Sequence, residues 1–173
     1  MIYYKTLDDN FLDYGIQNIN FSKLDFPSKT HHQWIVRPVE EIFTSAGLDF
    51  FKDKGINLRS TTRIFKKFAN NQLGPIHVDS LQQDDAAFNF VVGGTGSMEW
   101  VTVEGYKTSD FSLSRLASIK IDSKIEIHDS WSGLCALVRI GFPHRVLNGA
   151  LDRYCISVRP TEDHLFGALL NLV

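Results

Sequence analysis

Two histidines and a carboxylate can hold one face of a ferrous ion and leave the opposite face open for chemistry. This sequence offers such a set in His77-Val78-Asp79 and, 65 positions after the aspartate, in His144. The first pair lies in an apolar run, Pro75-Ile76-His77-Val78-Asp79. On an extended strand, residues two apart point to the same side, so imidazole and carboxylate would converge on one point. The interval to His144 is long enough for several strands and turns to bring the third donor back. Alone, an H-x-D arises by chance and its histidine is more often a core or turn residue. The downstream segment shifts that balance, because an apolar run Ala136–Ile140 leads through Gly141-Phe142-Pro143 to His144, and nine residues later Arg153 opens an alternating run to Arg159.

Rival donors are worse placed. His128-Asp129 and His31-His32 are adjacent pairs, and neighbours on a strand face opposite ways. His164 sits near the C-terminus with no partner in view. Arg139 and Arg159 are less well spaced from His144 than Arg153. Asn89, between Phe88 and Phe90, either faces a cavity or faces solvent while the phenylalanines fill the core. Trp100 and Arg63 are candidates for a substrate mouth, with core packing and surface exposure the plainer readings.

The elements that must position these residues are mostly strands. From Ile76 onward the pattern predicts strands over Ile76–Asp79, Ala87–Val92, Met98–Val103, Ala117–Ile121, Lys124–His128, Leu134–Ile140, Arg145–Leu147 and Arg153–Val158, many separated by glycine turns. About eight short strands suit a double-sheet jelly roll. Gly93-Gly94-Thr95-Gly96 joins two of them and reads as a hairpin loop, since a phosphate loop would open a helix. Earlier in the chain, Arg63–Phe68 resembles a strand. Pro38–Phe51 carries helix signals, with Glu40 and Glu41 in a first turn and Gly47 as an interruption or cap before a second helix from Leu48.

Bulk properties fit one soluble globular domain: 173 residues, 43% hydrophobic, 22% charged. A net charge of -2 gives no footprint for nucleic acid or an anionic membrane. The N-terminus lacks a signal-peptide pattern and no run reaches the roughly 20 apolar residues of a membrane helix, so a cytoplasmic location is expected. Cys135 and Cys155 read as buried free thiols of a reducing compartment, with a disulfide between them left open.

The order H-x-D, a distant His, then Arg153-Tyr154-Cys155-Ile156-Ser157 resembles the iron(II)/2-oxoglutarate-dependent dioxygenases, most nearly the prolyl-hydroxylase-like branch. The resemblance spans about residues 76–159. It implies a mainly β fold, a double-stranded β-helix of cupin type with short N-terminal helices, as one domain over 1–173: N-terminal α/β support to about residue 70 and a jelly-roll core over about 71–160. It implies Fe(II) on His77, Asp79 and His144, 2-oxoglutarate as cosubstrate with its far carboxylate on Arg153, and O2 as oxidant. Ser157, on the same strand face as Arg153, and Asn89 would add polar contacts to the cosubstrate. The implied activity is hydroxylation of a peptidyl side chain such as proline, with release of succinate and CO2. Another side chain, a nucleobase and a small metabolite stay open as substrates, as do a cupin-type binding module and a metal-dependent enzyme that uses no 2-oxoglutarate. One departure is that Cys155, not serine, stands two after Arg153.

Overall fold

The computed structural model describes residues 1–26, 32–69, 73–112, 119–161 and 165–173. Two antiparallel sheets face each other. The larger has six strands: β1 (Tyr4–Thr6), β2 (His32–Pro38), β3 (Leu58–Lys67), β4 (Ala86–Gly93), β7 (Cys135–Arg139) and β9 (Arg153–Pro160), in the order β1-β7-β4-β9-β3-β2. The smaller has β5 (Gly96–Val103), β6 (Ile125–Trp131) and β8 (His144–Asn148), in the order β6-β5-β8. Beyond β8, residues 73–79 run alongside through two isolated bridges, Leu73 with Leu147 and His77 with His144. Counting that segment, each sheet supplies four strands to a jelly roll, and β1 and β2 extend the larger sheet at its two edges.

Ile76–Asp79 is therefore not the regular strand the pattern predicts. Pro75 has no N–H to give to a ladder, and the two bridges differ in register, four residues along one chain answering three along the other. The expected strand at Ala117–Ile121 is absent over its described part, residues 119–121, while Ala117 and Ser118 lie outside the described residues. The remaining predicted strands are present, several a residue or two longer. The region before residue 58 holds two strands, β1 and β2, that alternation did not reveal.

The helical region breaks earlier than Gly47. Helix α2 (Val39–Ile42) ends before Phe43, and α3 (Ser45–Asp53) starts after Thr44. The Thr44 hydroxyl accepts a hydrogen bond from the Gly47 amide at 3.0 Å, an N-cap that fixes the start of α3. Gly47 serves contact rather than termination: a Cβ there would lie 2.2 Å from the Gly15 carbonyl oxygen, in α1 (Phe11–Gly15).

The centre of the large sheet, over β4, β7 and β9, is buried on both faces, while the inner face stays exposed at Trp34 and Val36 of β2 and at Arg59 and Arg63 of β3. Its outer face, with Ile64, Phe88, Phe90, Leu137, Ile156 and Val158, packs against Phe11 of α1, Phe51 of α3 and Phe166 and Leu169 of α4 (Phe166–Leu169). Its inner face meets the small sheet through Ala87, Val91, Ala136, Val138 and Cys155 against Met98, Trp100 and Val146. A sheet covered on both sides explains why Asn89 and its flanking phenylalanines are all interior: they alternate between two covered faces. Trp100 is core, and its indole N–H donates to the Arg139 carbonyl at 2.8 Å. Both cysteines are buried and free, and burial pushes the Cys135 thiol up to about 12. No helix among the described residues is long and apolar enough to cross a membrane.

Candidate metal centre

His77 and His144 are paired by their own backbones. Each amide donates to the other's carbonyl at 2.9 Å, the hydrogen-bonded pair of an antiparallel ladder. Side chains of paired residues share a face, and the two imidazole centroids lie 4.4 Å apart. Asp79 follows two residues on, held where its amide donates to the Ile140 carbonyl at 3.1 Å. Convergence of H-x-D thus comes from a bridge and an anchored turn, not from a continuous strand.

The side chains are set for ligation. The His77 Nδ1–H donates to the Pro75 carbonyl and the His144 Nδ1–H to the Phe142 carbonyl, each at 2.9 Å and each two residues back. A carbonyl only accepts, so both rings are fixed with Nδ1 protonated and Nε2 free to ligate. His77 Nε2 lies 3.9 Å from one Asp79 carboxylate oxygen, and His144 Nε2 lies 3.6 Å from the other. One donor atom from each of the three residues falls within a 4.8 Å span, compatible with ligands around a single ion. His144 is buried, while His77 and Asp79 are partly open, so the set has a closed back and an accessible front.

Protonation favours the same role. Burial, then the neighbouring His144, lowers His77 to about 4, so it stays neutral and able to ligate at ordinary pH. Burial opposes ionisation of Asp79, but its hydrogen bond with His144, the charges of both histidines and Arg159 outweigh that and hold its carboxyl well below the usual carboxylate range.

A cavity of about 60 Å³ opens from this trio between the sheets. Asn89, Arg153 and Ser157 all line it, beside Cys155. Arg153 is only 5% exposed, its Nε has no hydrogen-bond partner, and neither has Asn89 Oδ1. These are buried polar atoms of the kind that a polar ligand satisfies. Across the β3–β9 ladder, Arg153 is in register with Lys67, itself 7% exposed. Burial, then the adjacent guanidinium, lowers Lys67 to about 8. Sequence reasoning missed Lys67. The available signal was alternation: with Ile64 facing one side of the sheet, Arg63, Phe65 and Lys67 face the other.

The glycine hairpin bears on Arg153. Gly94 adopts φ +75° and Gly96 φ +153°, conformations that favour glycine. A Cβ on Gly94 would lie 2.7 Å from the Arg153 Cα, and one on Gly96 would lie 3.3 Å from its Cδ.

The other residues of interest lie elsewhere. The His128 ring is 3.0 Å from the Thr102 hydroxyl and 3.9 Å from Glu126, with no three-donor cluster around it among the described residues. Arg139 pairs with Asp84 at 3.3 Å and lies over Phe166. Arg63 is exposed, over the Trp34 ring. His31 and His164 are outside the described residues, as is the side chain of His32.

The sequence matches no protein-family model and no curated protein. Among solved structures, a mutant oxalate decarboxylase from Bacillus subtilis aligns over 83% of this chain at 9% identity, TM-score 0.42. A vicilin from Corylus avellana (hazelnut) aligns over 85% at 10% identity, TM-score 0.43. This chain spans 29% and 34% of those chains respectively. At this level of similarity no ligand or activity transfers, and the chain stands as a jelly-roll protein with a candidate His-Asp-His metal centre.

Proposed function

We propose that the chain is an Fe(II)- and 2-oxoglutarate-dependent dioxygenase that hydroxylates a peptidyl side chain such as proline. One observation carries the reading: the His77-Asp79-His144 donor set opens onto a cavity whose wall holds two buried cations, Arg153 and Lys67. A metal-binding module needs the donors but has no use for the cations. Two unpaired charges in an apolar interior are costly unless an anion joins them. Among the described residues neither has a carboxylate within salt-bridge distance.

Fe(II) with 2-oxoglutarate and O2, when bound, supplies oxidative decarboxylation to succinate and CO2 coupled to hydroxylation. The protein's own part is placement. His77, Asp79 and His144 would hold the ion beside the cavity. The Arg153 guanidinium offers a fork suited to a carboxylate, Lys67 adds a second positive charge, and Asn89 and Ser157 offer further polar contacts. Proline as target rests on the local resemblance of Arg153–Ser157 to the prolyl-hydroxylase-like branch and is the least constrained part of the reading.

The test needs no substrate. Anaerobic titration of the protein with Fe(II) and 2-oxoglutarate should give a visible charge-transfer band that Arg153→Ala weakens. Metal-loaded, folded protein without such a band refutes 2-oxoglutarate use. A second reading would then lead, a cupin-type metal protein without this cosubstrate, because the three-donor set is complete in itself. Succinate release with proline-containing peptides would test the substrate class.

A further inference from the structure

A second cavity, about 140 Å³, adjoins the first, sharing Phe65, Asp79 and Ser157 with it, and is lined by Arg59, Arg63 and Arg159, with Thr61. None of these arginines has a carboxylate within salt-bridge distance among the described residues, whereas Arg37, Arg139 and Arg145 each do. Three guanidiniums therefore converge on one cleft in a chain whose net charge is -2.

The cluster is built rather than scattered. Arg63 lies over the Trp34 ring at 5.3 Å, a stacking that orients the guanidinium. Arg63 pairs in register with Ser157 across β3 and β9, and Ser157 pairs with Asn89 across β9 and β4. One rung of the sheet thus runs from the outer cleft to the inner cavity. Arg159 Nη2 donates to the Asp79 carbonyl at 2.9 Å, tying the cleft to a metal donor. Asp79 and Ser157 line both cavities.

We propose that this cleft seats an oxyanion, a carboxylate or a phosphate, on the molecule that is oxidised. Resting on the dioxygenase reading, this narrows the substrate class to a molecule, an acidic or phosphorylated peptide included, whose charged group sits on Arg59, Arg63 and Arg159 with its neighbouring carbons toward His77, Asp79 and His144. Lys67 and Arg153 would hold the cosubstrate, and Arg59, Arg63 and Arg159 the substrate, in adjoining cavities that share Asp79. A cleft of this size takes a single charged group with its adjacent carbons.

Calorimetric titration of the full chain with inorganic phosphate and, separately, acetate tests it, using wild type, Arg59→Ala/Arg63→Ala and Arg153→Ala. Trp34 fluorescence follows the same titrations, since Arg63 lies on that ring. One of the two anions should bind, at least tenfold more weakly in the double variant and within threefold of wild type in Arg153→Ala. Phosphate preference assigns a phosphorylated substrate, and acetate preference a carboxylic acid; either supports the proposal. Absence of binding by both anions, an isotherm unchanged in the double variant, or binding lost only with Arg153→Ala overturns it. The exposed positions of Arg59 and Arg63 leave folding intact in the double variant, and an unaltered melting temperature checks this. No metal or 2-oxoglutarate is present, so failure here is distinct from failure of the charge-transfer titration.

Discussion

Replacing Lys67 with methionine should make the ligand-free protein more stable and its cosubstrate site worse. Burial, then the neighbouring Arg153, lowers Lys67 from an ordinary 10.5 to about 8. Each pKa unit corresponds to about 1.4 kcal/mol, so keeping the ammonium charged in the fold costs about 3 kcal/mol at neutral pH. The sign follows from linkage. The unfolded chain holds this proton more tightly than the native one, so the penalty is complete below about pH 8, shrinks as pH rises, and vanishes above about 10.5. Methionine keeps an unbranched stem of similar length and removes the charge. Lys67→Met should raise stability by about 3 kcal/mol at pH 7. At roughly 2–4 °C per kcal/mol for a chain of this size, the melting temperature should rise by roughly 10 °C.

The assay is thermal unfolding by circular dichroism in a chelating buffer, for both proteins, from pH 7 to 11. The gap should be widest at pH 7 and close as pH approaches 10.5. The same variant should bind 2-oxoglutarate about 10- to 100-fold more weakly, the equivalent of losing one charge-assisted hydrogen bond. A gap that does not change with pH, or a variant less stable than wild type, refutes the claim that the ammonium is held against its own desolvation. Higher stability with unchanged 2-oxoglutarate affinity would refute only the functional half, leaving a buried cation with another purpose.

His77→Ala and Asp79→Ala should each abolish stoichiometric Fe(II) binding while the chain stays folded, read by metal analysis after desalting; full retention in either removes that residue from the ligand set. Gly141→Ala would place a Cβ 1.8 Å from the Gln82 carbonyl oxygen, forcing apart the turn after Asp79 and the approach to His144, with a loss of about 1–3 kcal/mol and weaker metal binding; an unchanged urea midpoint and metal affinity would show that the turn yields freely. His77, lowered to about 4 from 6.5, contributes stability to the metal-free protein that is complete above about pH 6.5 and is lost as pH falls toward 4. In His77→Asn that part of the acid dependence of melting temperature should flatten, and an identical profile would contradict it.

The parts of the site legible in the sequence are those whose chemistry is local. His77, Asp79, His144 and Arg153 announce themselves by residue type and order, and the glycines of 93–96 by their turn-forming freedom. What is not local is the means of convergence. The spacing suggested a strand carrying His77 and Asp79 together, but Pro75 interrupts that ladder, and a single reciprocal backbone pair between His77 and His144 does the positioning instead. No periodicity in either segment encodes that pair. The cations were illegible for a related reason. Lys66 and Lys67 look alike in sequence, yet the β3–β9 register buries Lys67 opposite Arg153 and leaves Lys66 near Asp152 at 3.4 Å. Likewise Arg159 lies about a hundred positions after Arg59 and Arg63, and the three share one cleft only when β3 and β9 align. Hydrophobic patterning reads a charged residue on a strand as solvent-facing, and the rule fails where the opposite face of the sheet is already filled by Ile64, Ile156 and Val158. On the remaining face Lys67 and Arg153 look into the space between the sheets, while Arg59 and Arg63 lie where that face is exposed. That register gathers five basic residues around Asp79, Lys67 and Arg153 at one cavity and Arg59, Arg63 and Arg159 at the other. It also makes the reasoning vulnerable at one point: if Lys67→Met, Arg153→Ala and Arg59→Ala/Arg63→Ala all leave anion binding intact, these basic residues hold no ligand, and the metal centre must act without them.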